Sequence, residues 1–164
     1  MAKIAREDLV AVRVYLTKFY KEIDTALRRA DAHKLEEFDP HIRLATYALF
    51  QLQAFRGVVY RGTTLPQDVA AKYTPGMIIR ERAFIDTSAD PARRFAGNVQ
   101  FIINSVTGRK VRALAEDPEE QEVLFFTATR FKVLAVDVEL GSATRTVYLS
   151  EIPDPRLIQA PGTA

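Results

Sequence analysis

The first third of the chain carries apolar residues at helical spacing. Leu9, Val12, Leu16, Phe19, Tyr20, Ile23 and Leu27 recur mostly at steps of three and four, which places them on one helix face, with Lys18, Lys21, Glu22, Arg28 and Arg29 elsewhere. A second helix is expected to start at Asp39-Pro40, an acidic N-cap followed by proline at the first helical position. Ile42, Ala45, Ala48, Leu49, Leu52 and Phe55 continue its apolar stripe, and Gly57 is expected to stop it. The pattern then changes from helical spacing to short β-prone runs. Val58 to Arg61, closed by Gly62, reads as a strand, and Leu65-Pro66-Gln67-Asp68 leads into a short helical piece. Met77 to Phe84 is extended, and Pro91 to Gly97 takes one or two helical turns. Val99 to Ser105, Val111 to Leu114, Glu122 to Phe126, Phe131 to Val138 and Thr144 to Ile152 read as strands, separated by turn residues at Thr107-Gly108, Asp117-Pro118 and Gly141-Ser142.

Helices first and strands afterwards imply an α+β domain with a mainly antiparallel sheet, not a doubly wound parallel one. Residues 1–152 are expected to form one domain. The tail, 153–164, contains three prolines and little apolar pattern and is expected to be poorly ordered.

Composition narrows the chemistry more than the fold. The 164 residues are 48% hydrophobic and 27% charged, as in ordinary globular proteins, and suffice for one domain. Twenty-three basic and 21 acidic residues leave a net charge of +2, which neither demands nor excludes nucleic acid as a partner. There is no cysteine, which removes disulfides, thiolate nucleophiles and cysteine-ligated metals. With only His33 and His41, a histidine-rich metal site or a Ser-His-Asp triad is not expected. No run of about 18 apolar residues is present, so no membrane-spanning segment is expected. The N-terminus lacks the apolar core of a signal peptide, so delivery is expected to depend on other machinery or on a longer parent chain.

Three polar segments carry candidate chemistry. Arg61 ends a strand and precedes Gly62; its planar fork suits phosphate oxygens, and the glycine lets a ligand approach the backbone. The plain alternative is a surface arginine before a turn. Asp86-Thr87-Ser88 follows an apolar strand and either organises a site or caps the helical turn near Pro91. Glu120 and Glu122, two apart on a strand, share one face within about 7 Å, a costly placement for like charges unless they have a partner or a task. A solvated acidic turn is the alternative, although Glu122 runs straight into the apolar Val123-Leu124-Phe125-Phe126.

In this order the segments resemble the Arg–Ser–Glu class of mono-ADP-ribosyltransferases. Tyr60-Arg61-Gly62 is similar to the arginine strand of that class, Phe84 to Ser88 to its Phe-x-Ser-Thr-Ser strand, and Glu120-Gln121-Glu122 to its Glu-x-Glu element, followed by Phe131-Lys132-Val133. Arg93 to Gly97 and Gly108 to Val111 fit the connecting segments, and the likeness covers about residues 40 to 140. The resemblance implies N-terminal helices packed on two small, mainly antiparallel sheets with NAD in a central cleft and no metal. It implies that Arg61 grips the NAD phosphates, that the Gly62 backbone holds the nicotinamide amide, and that Phe95 packs on the nicotinamide ring. Thr87 and Ser88 would brace the site. Glu122 would be the catalytic glutamate, and Glu120 the first of the pair, which goes with arginine as acceptor. The turn from Ala113 to Glu120 would lie at the mouth and touch the acceptor.

One position departs from the pattern: Asp86 stands where the class has a serine that hydrogen-bonds the catalytic glutamate. An aspartate donates to Glu122 only if one of the two carboxyls is protonated. Asp86 and Glu122 share a proton, or Asp86 turns toward Arg82, Arg93 or Arg94 and leaves the donor role to Ser88, or the enzyme is weakened. The local supply of arginine favours the second arrangement. On the resemblance, the leading expectation is transfer of ADP-ribose from NAD to arginine on a protein, by a toxin or effector domain acting in the cytoplasm of a target cell, with an immunity protein as a possible partner. NAD hydrolysis, modification of RNA or DNA drawn in by Arg80, Arg82, Arg93, Arg94, Arg109, Lys110 and Arg112, and a silent interaction domain are the alternatives.

Overall fold

The structure is a computed structural model that describes residues 7, 10, 13–93, 95–111 and 121–159. Leu9, Val12, Arg94, Arg112 and the expected turn through Glu120 lie outside the described residues.

A π-helical turn, Tyr15–Phe19, runs directly into helix α1, Tyr20–Arg29, which ends at Ala30 in a left-handed conformation (φ 52°). The wider turn changes which residues face inward. Tyr15, Ile23 and Ala26 are buried, whereas Tyr20, expected on the apolar stripe, is 42% exposed. A stripe drawn at 3.6 residues per turn misplaces a side chain next to an i→i+5 turn.

Helix α2, Ala32–Gln51, starts eight residues before the expected Asp39-Pro40. Its N-cap is Asp31, whose carboxylate accepts from the Lys34 amide at 3.2 Å. Pro40 lies inside the helix. Proline has no N–H to give the carbonyl one turn back, so the expectation placed it at a helix start, but buried Phe38 anchors the turn before it. The helix ends at Gln51, and Gly57 (φ 154°) opens the first strand instead of stopping the helix.

The strands are β1 Gly57–Thr63, β2 Ile78–Glu81, β3 Ile85–Ser88, β4 Val99–Ser105, β5 Arg109–Lys110, β6 Glu122–Phe125, β7 Thr129–Val138 and β8 Arg145–Ile152, with a short helix α3, Gln67–Ala70, after β1. The fold is α+β, as the element order implied. By hydrogen bonding the strands form one sheet, ordered β2-β7-β8-β4-β1-β3-β6-β5, where two small sheets were expected. All pairings are antiparallel except β4 with β8. The expectation of two sheets fails at one place: β1 and β3 meet at a single register pair, Tyr60↔Ser88. That pair joins a five-stranded part to the three-stranded part β3-β6-β5. Both parts bury side chains in one apolar cluster, which includes Val59, Phe101, Val123, Phe125, Phe131 and Leu149. A second cluster seats the helices on the sheet through Tyr15, Ile23, Phe38 and Leu49 against Phe84, Val111, Leu124 and Phe126.

Residues 153–159 fold back against the end of α2. A 3-10 turn at Pro155–Leu157 is capped by Asp154, and Gln159 accepts from the Ala54 amide at 2.7 Å and donates to the Leu52 carbonyl at 2.9 Å. Arg109, expected along a cationic cleft wall, is instead buried. Its guanidinium donates to the carbonyls of Leu49, Thr107 and Leu157, tying the end of α2 to the tail. Lys110 lies near the ring of Phe55, 5.8 Å from its centroid.

Candidate active site

The β1–β3 junction opens onto a cavity of about 870 Å³, in the upper part of the ~300–1,000 Å³ range of small-molecule and cofactor sites. Register explains which residues meet there. Tyr60 pairs with Ser88, and Ser88 with Glu122, so three strands contribute one row of side chains. Arg61, Gly62, Asp86, Thr87, Ser88, Phe95 and Glu122 all line the cavity. Arg61 and Glu122, 61 residues apart in sequence, therefore share one pocket.

Asp86 stands between them. Its backbone carbonyl accepts from Arg61 Nη1 at 3.0 Å, which holds one edge of the guanidinium. Its carboxyl is hydrogen-bonded to the Glu122 side chain, with Arg61 as the neighbouring positive charge, and burial raises its pKa above the ordinary aspartate value. Arg94, one of the arginines whose supply favoured a different partner, lies outside the described residues. Arg93 faces Asp90, at 4.0 Å. A buried carboxyl loses more in desolvation than a distant surface arginine returns, and a second carboxyl is a usable partner once a proton lies between them.

The Thr87 hydroxyl donates to the Val123 carbonyl at 2.6 Å and locks β3 to β6. The Ser88 hydroxyl accepts from the Asp90 amide at 3.1 Å, and Asp90 in turn caps Ala92, so the turn after β3 is capped in the manner a plain reading of the segment allowed. Gly62 has a reason other than close approach of a ligand. A Cβ there would come 1.6 Å from the Phe95 carbonyl oxygen, and one at Gly97 would come 2.2 Å from the Thr63 carbonyl oxygen. The two glycines let the loop carrying Phe95 lie directly on β1, and Gln100 Nε2 holds that loop by donating to the Phe95 carbonyl at 3.2 Å. The Phe95 ring itself is 76% exposed.

Helix α1 supplies a wall that sequence reasoning missed: Tyr20, Lys21, Asp24, Thr25 and Arg28. Arg28 is tied to Glu81 at 3.1 Å. The buried Tyr15 hydroxyl donates to both oxygens of Asp24, at 3.1 and 3.0 Å. Burial pushes the Asp24 carboxyl up to about 6 and the Tyr15 phenol well above its usual range. An aspartate next to the apolar Ile23 and three residues before Leu27 was the available signal, but no spacing rule pointed it at a strand 60 residues away. Among the described residues no group of three His, Asp or Glu side chains is placed to hold a metal ion, and no helix is long and apolar enough to cross a membrane.

A protein of Pseudomonas putida named NAD(+)–protein-arginine ADP-ribosyltransferase Tre1 is 38% identical over 157 residues, which are 93% of this chain and 30% of that protein. A Mycobacterium avium relative, Mav, is 36% identical over 149 residues, 88% of this chain and 18% of the relative. The chain thus spans less than a third of these two relatives. Among solved structures, the type III effector XopAI of Xanthomonas axonopodis pv. citri superposes with a TM-score of 0.75 at 29% identity, covering 91% of this chain and 68% of that one. The family model described as NAD:arginine ADP-ribosyltransferase matches residues 2–155, nearly the whole chain, and the chain belongs to that family.

Proposed function

We propose that this chain is a catalytic domain that cleaves the nicotinamide–ribose bond of NAD and transfers ADP-ribose to an arginine side chain of a protein. The observation that carries the reading is the convergence of Arg61 and Glu122 on one cavity of about 870 Å³. Loss of nicotinamide leaves positive charge on the ribose. The Glu122 carboxylate, hydrogen-bonded to a ribose hydroxyl, stabilises that charge in the way carboxylates serve oxocarbenium-like transition states. Arg61, pinned on one edge by the Asp86 carbonyl, directs its remaining donors at the pyrophosphate and positions it. The exposed Phe95 ring is an apolar surface for the nicotinamide, and Gly62 beside it offers backbone to the amide. Glu120, outside the described residues, is assigned by the resemblance alone to orienting the incoming guanidine.

The relatives' names support arginine as acceptor. Their greater length supports a module carried by a longer toxin or effector, for which an immunity partner and delivery into a target cell's cytoplasm are further parts of this proposal. Burial of Arg109 weakens the nucleic-acid alternative by removing one of the cations it relied on. The deciding experiment incubates wild type and Glu122→Ala with labelled NAD and either agmatine or whole-cell extract. Wild type is expected to label agmatine and a protein band, and the variant to lose at least about a hundredfold in NAD cleavage. Free ADP-ribose as sole product would make the protein a hydrolase. NAD cleavage that survives the substitution would remove Glu122 from the chemistry.

A further inference from the structure

The segment between β3 and β4 carries Phe95 and is held at three places. At its start the Ser88 hydroxyl accepts from the Asp90 amide, and the Asp90 carboxylate accepts from the Ala92 amide. At its end the Asn98 side chain accepts from the Leu65 amide at 2.8 Å and donates to the Leu65 carbonyl at 2.7 Å. In the middle one amide nitrogen, Gln100 Nε2, donates to the carbonyls of Phe95 at 3.2 Å and Gly97 at 3.4 Å. We propose that Gln100 is a positioning residue for NAD cleavage, which pins the Phe95 loop to β1 and so sets the distance between the ring surface offered to nicotinamide and the Arg61 grip on the pyrophosphate. The inference rests on the function proposed above and adds to it a residue that does not itself line the cavity.

Register explains the contact. Gln100 of β4 lies opposite Gly62 of β1, the residue after Arg61. A Cβ at position 62 would stand 2.8 Å from Gln100 Nε2 and 1.6 Å from the Phe95 carbonyl oxygen, so donor and acceptor meet in the space that the missing side chain leaves. The loop is thus fixed to the same stretch of backbone that carries the guanidinium. The scissile bond joins nicotinamide to the ribose next to the pyrophosphate. The relative placement of the ring surface and the guanidinium therefore sets how that bond is presented to Glu122. Two carbonyls face the same atom of the Gln100 amide, which makes that atom the nitrogen. The oxygen of the amide is unfavourable where it stands. Oε1 is enclosed and accepts no hydrogen bond among the described residues, a desolvation loss that no bond offsets. An apolar side chain of the same length would avoid that loss, so what the glutamine supplies is the hold of its nitrogen on the loop. Packing of the Phe95 ring does not supply it, because the ring is 76% exposed.

The test replaces Gln100 by methionine, which keeps the length and removes the donor, and by glutamate, which sets an acceptor against the two carbonyls. Gln100→Met is expected to lose about tenfold in kcat for NAD cleavage and Gln100→Glu more, with KM for NAD within about threefold, because Arg61 and the rest of the cavity still bind the ADP-ribose half. Inhibition by nicotinamide and by ADP-ribose separates the two ends of the site. In Gln100→Met the inhibition constant of nicotinamide is expected to rise about tenfold and that of ADP-ribose to stay within about twofold. Phe95→Ala and the double variant Phe95→Ala/Gln100→Met complete a cycle. Once the ring is gone its placement no longer matters, so the double variant is expected to match Phe95→Ala within about twofold. Circular dichroism melting of Gln100→Met is expected within about 5 °C of wild type. Wild-type kcat in both Gln100 variants, losses that multiply in the double variant, equal rises for both inhibitors, or a larger fall in Tm for Gln100→Met would overturn the proposal. Each leaves the function standing provided that wild type cleaves NAD and Glu122→Ala does not, whereas an active Glu122→Ala removes the function itself.

Discussion

Replacing Arg109 by methionine tests whether one buried cation closes the fold behind the site. The side chain is 1% exposed and donates to Leu49 O at 3.0 Å, Thr107 O at 3.2 Å and Leu157 O at 2.9 Å, with its guanidinium 5.2 Å from the Phe126 ring centroid. Methionine keeps an apolar stem in the same space and removes the guanidinium, with its donors, its charge and its contact with the Phe126 ring. The Leu49 carbonyl retains the Leu52 amide as a partner, at 3.1 Å. The carbonyls of Thr107 and Leu157 keep no other named donor among the described residues. Two stranded acceptors cost about 1–3 kcal/mol each, and relief from burying the guanidinium returns part of that, so the net loss is expected near 3 kcal/mol. For a chain of this size that corresponds to a fall in Tm of roughly 6–12 °C. Urea denaturation followed by circular dichroism suits a protein without tryptophan. Native-state hydrogen exchange adds the location: protection of the Ala54 amide, bonded to Gln159, should drop with the tail. A loss below about 1 kcal/mol, or a destabilised protein with Ala54 still protected, would refute the clamp.

Gly62→Ala places a methyl group on the Phe95 carbonyl and is expected to displace the Phe95 loop, lowering kcat/KM for NAD by about tenfold or more while the protein still folds; a variant with wild-type kinetics would show that the loop position is immaterial. Asp24 titrates at about 6 in the folded protein against 3.8 for the ordinary group. Its folded form therefore binds a proton more readily than the unfolded chain, and stability from this group declines as pH rises from about 4 to about 6, by roughly 2–3 kcal/mol. Asp24→Asn, which still accepts from Tyr15, should remove that slope and be more stable than wild type above pH about 6. Urea midpoints measured on both sides of that window check it, and a wild-type-to-variant difference that does not change with pH would count against it.

The sequence alone determined the element order, the α+β class and most strand positions. These follow from local periodicity and turn chemistry, which act between near neighbours. It also placed Arg61, Thr87, Ser88, Phe95 and Glu122 in one site, because three short segments in order resembled a family whose fold brings them together. Where local rules had no hold, tertiary structure decided. A π-helical turn rotated Tyr20 and Asp24 toward the cavity, and a hydrophobic anchor at Phe38 carried α2 through Pro40. Arg109 looked like any surface cation until three carbonyls from distant parts of the chain closed around it. The pairing of β3 with β6 likewise acts in space: it sets Ser88 opposite Glu122, 34 residues away in sequence. Charge and hydrogen bonding act through distance in three dimensions, and only the register of strands fixes that distance.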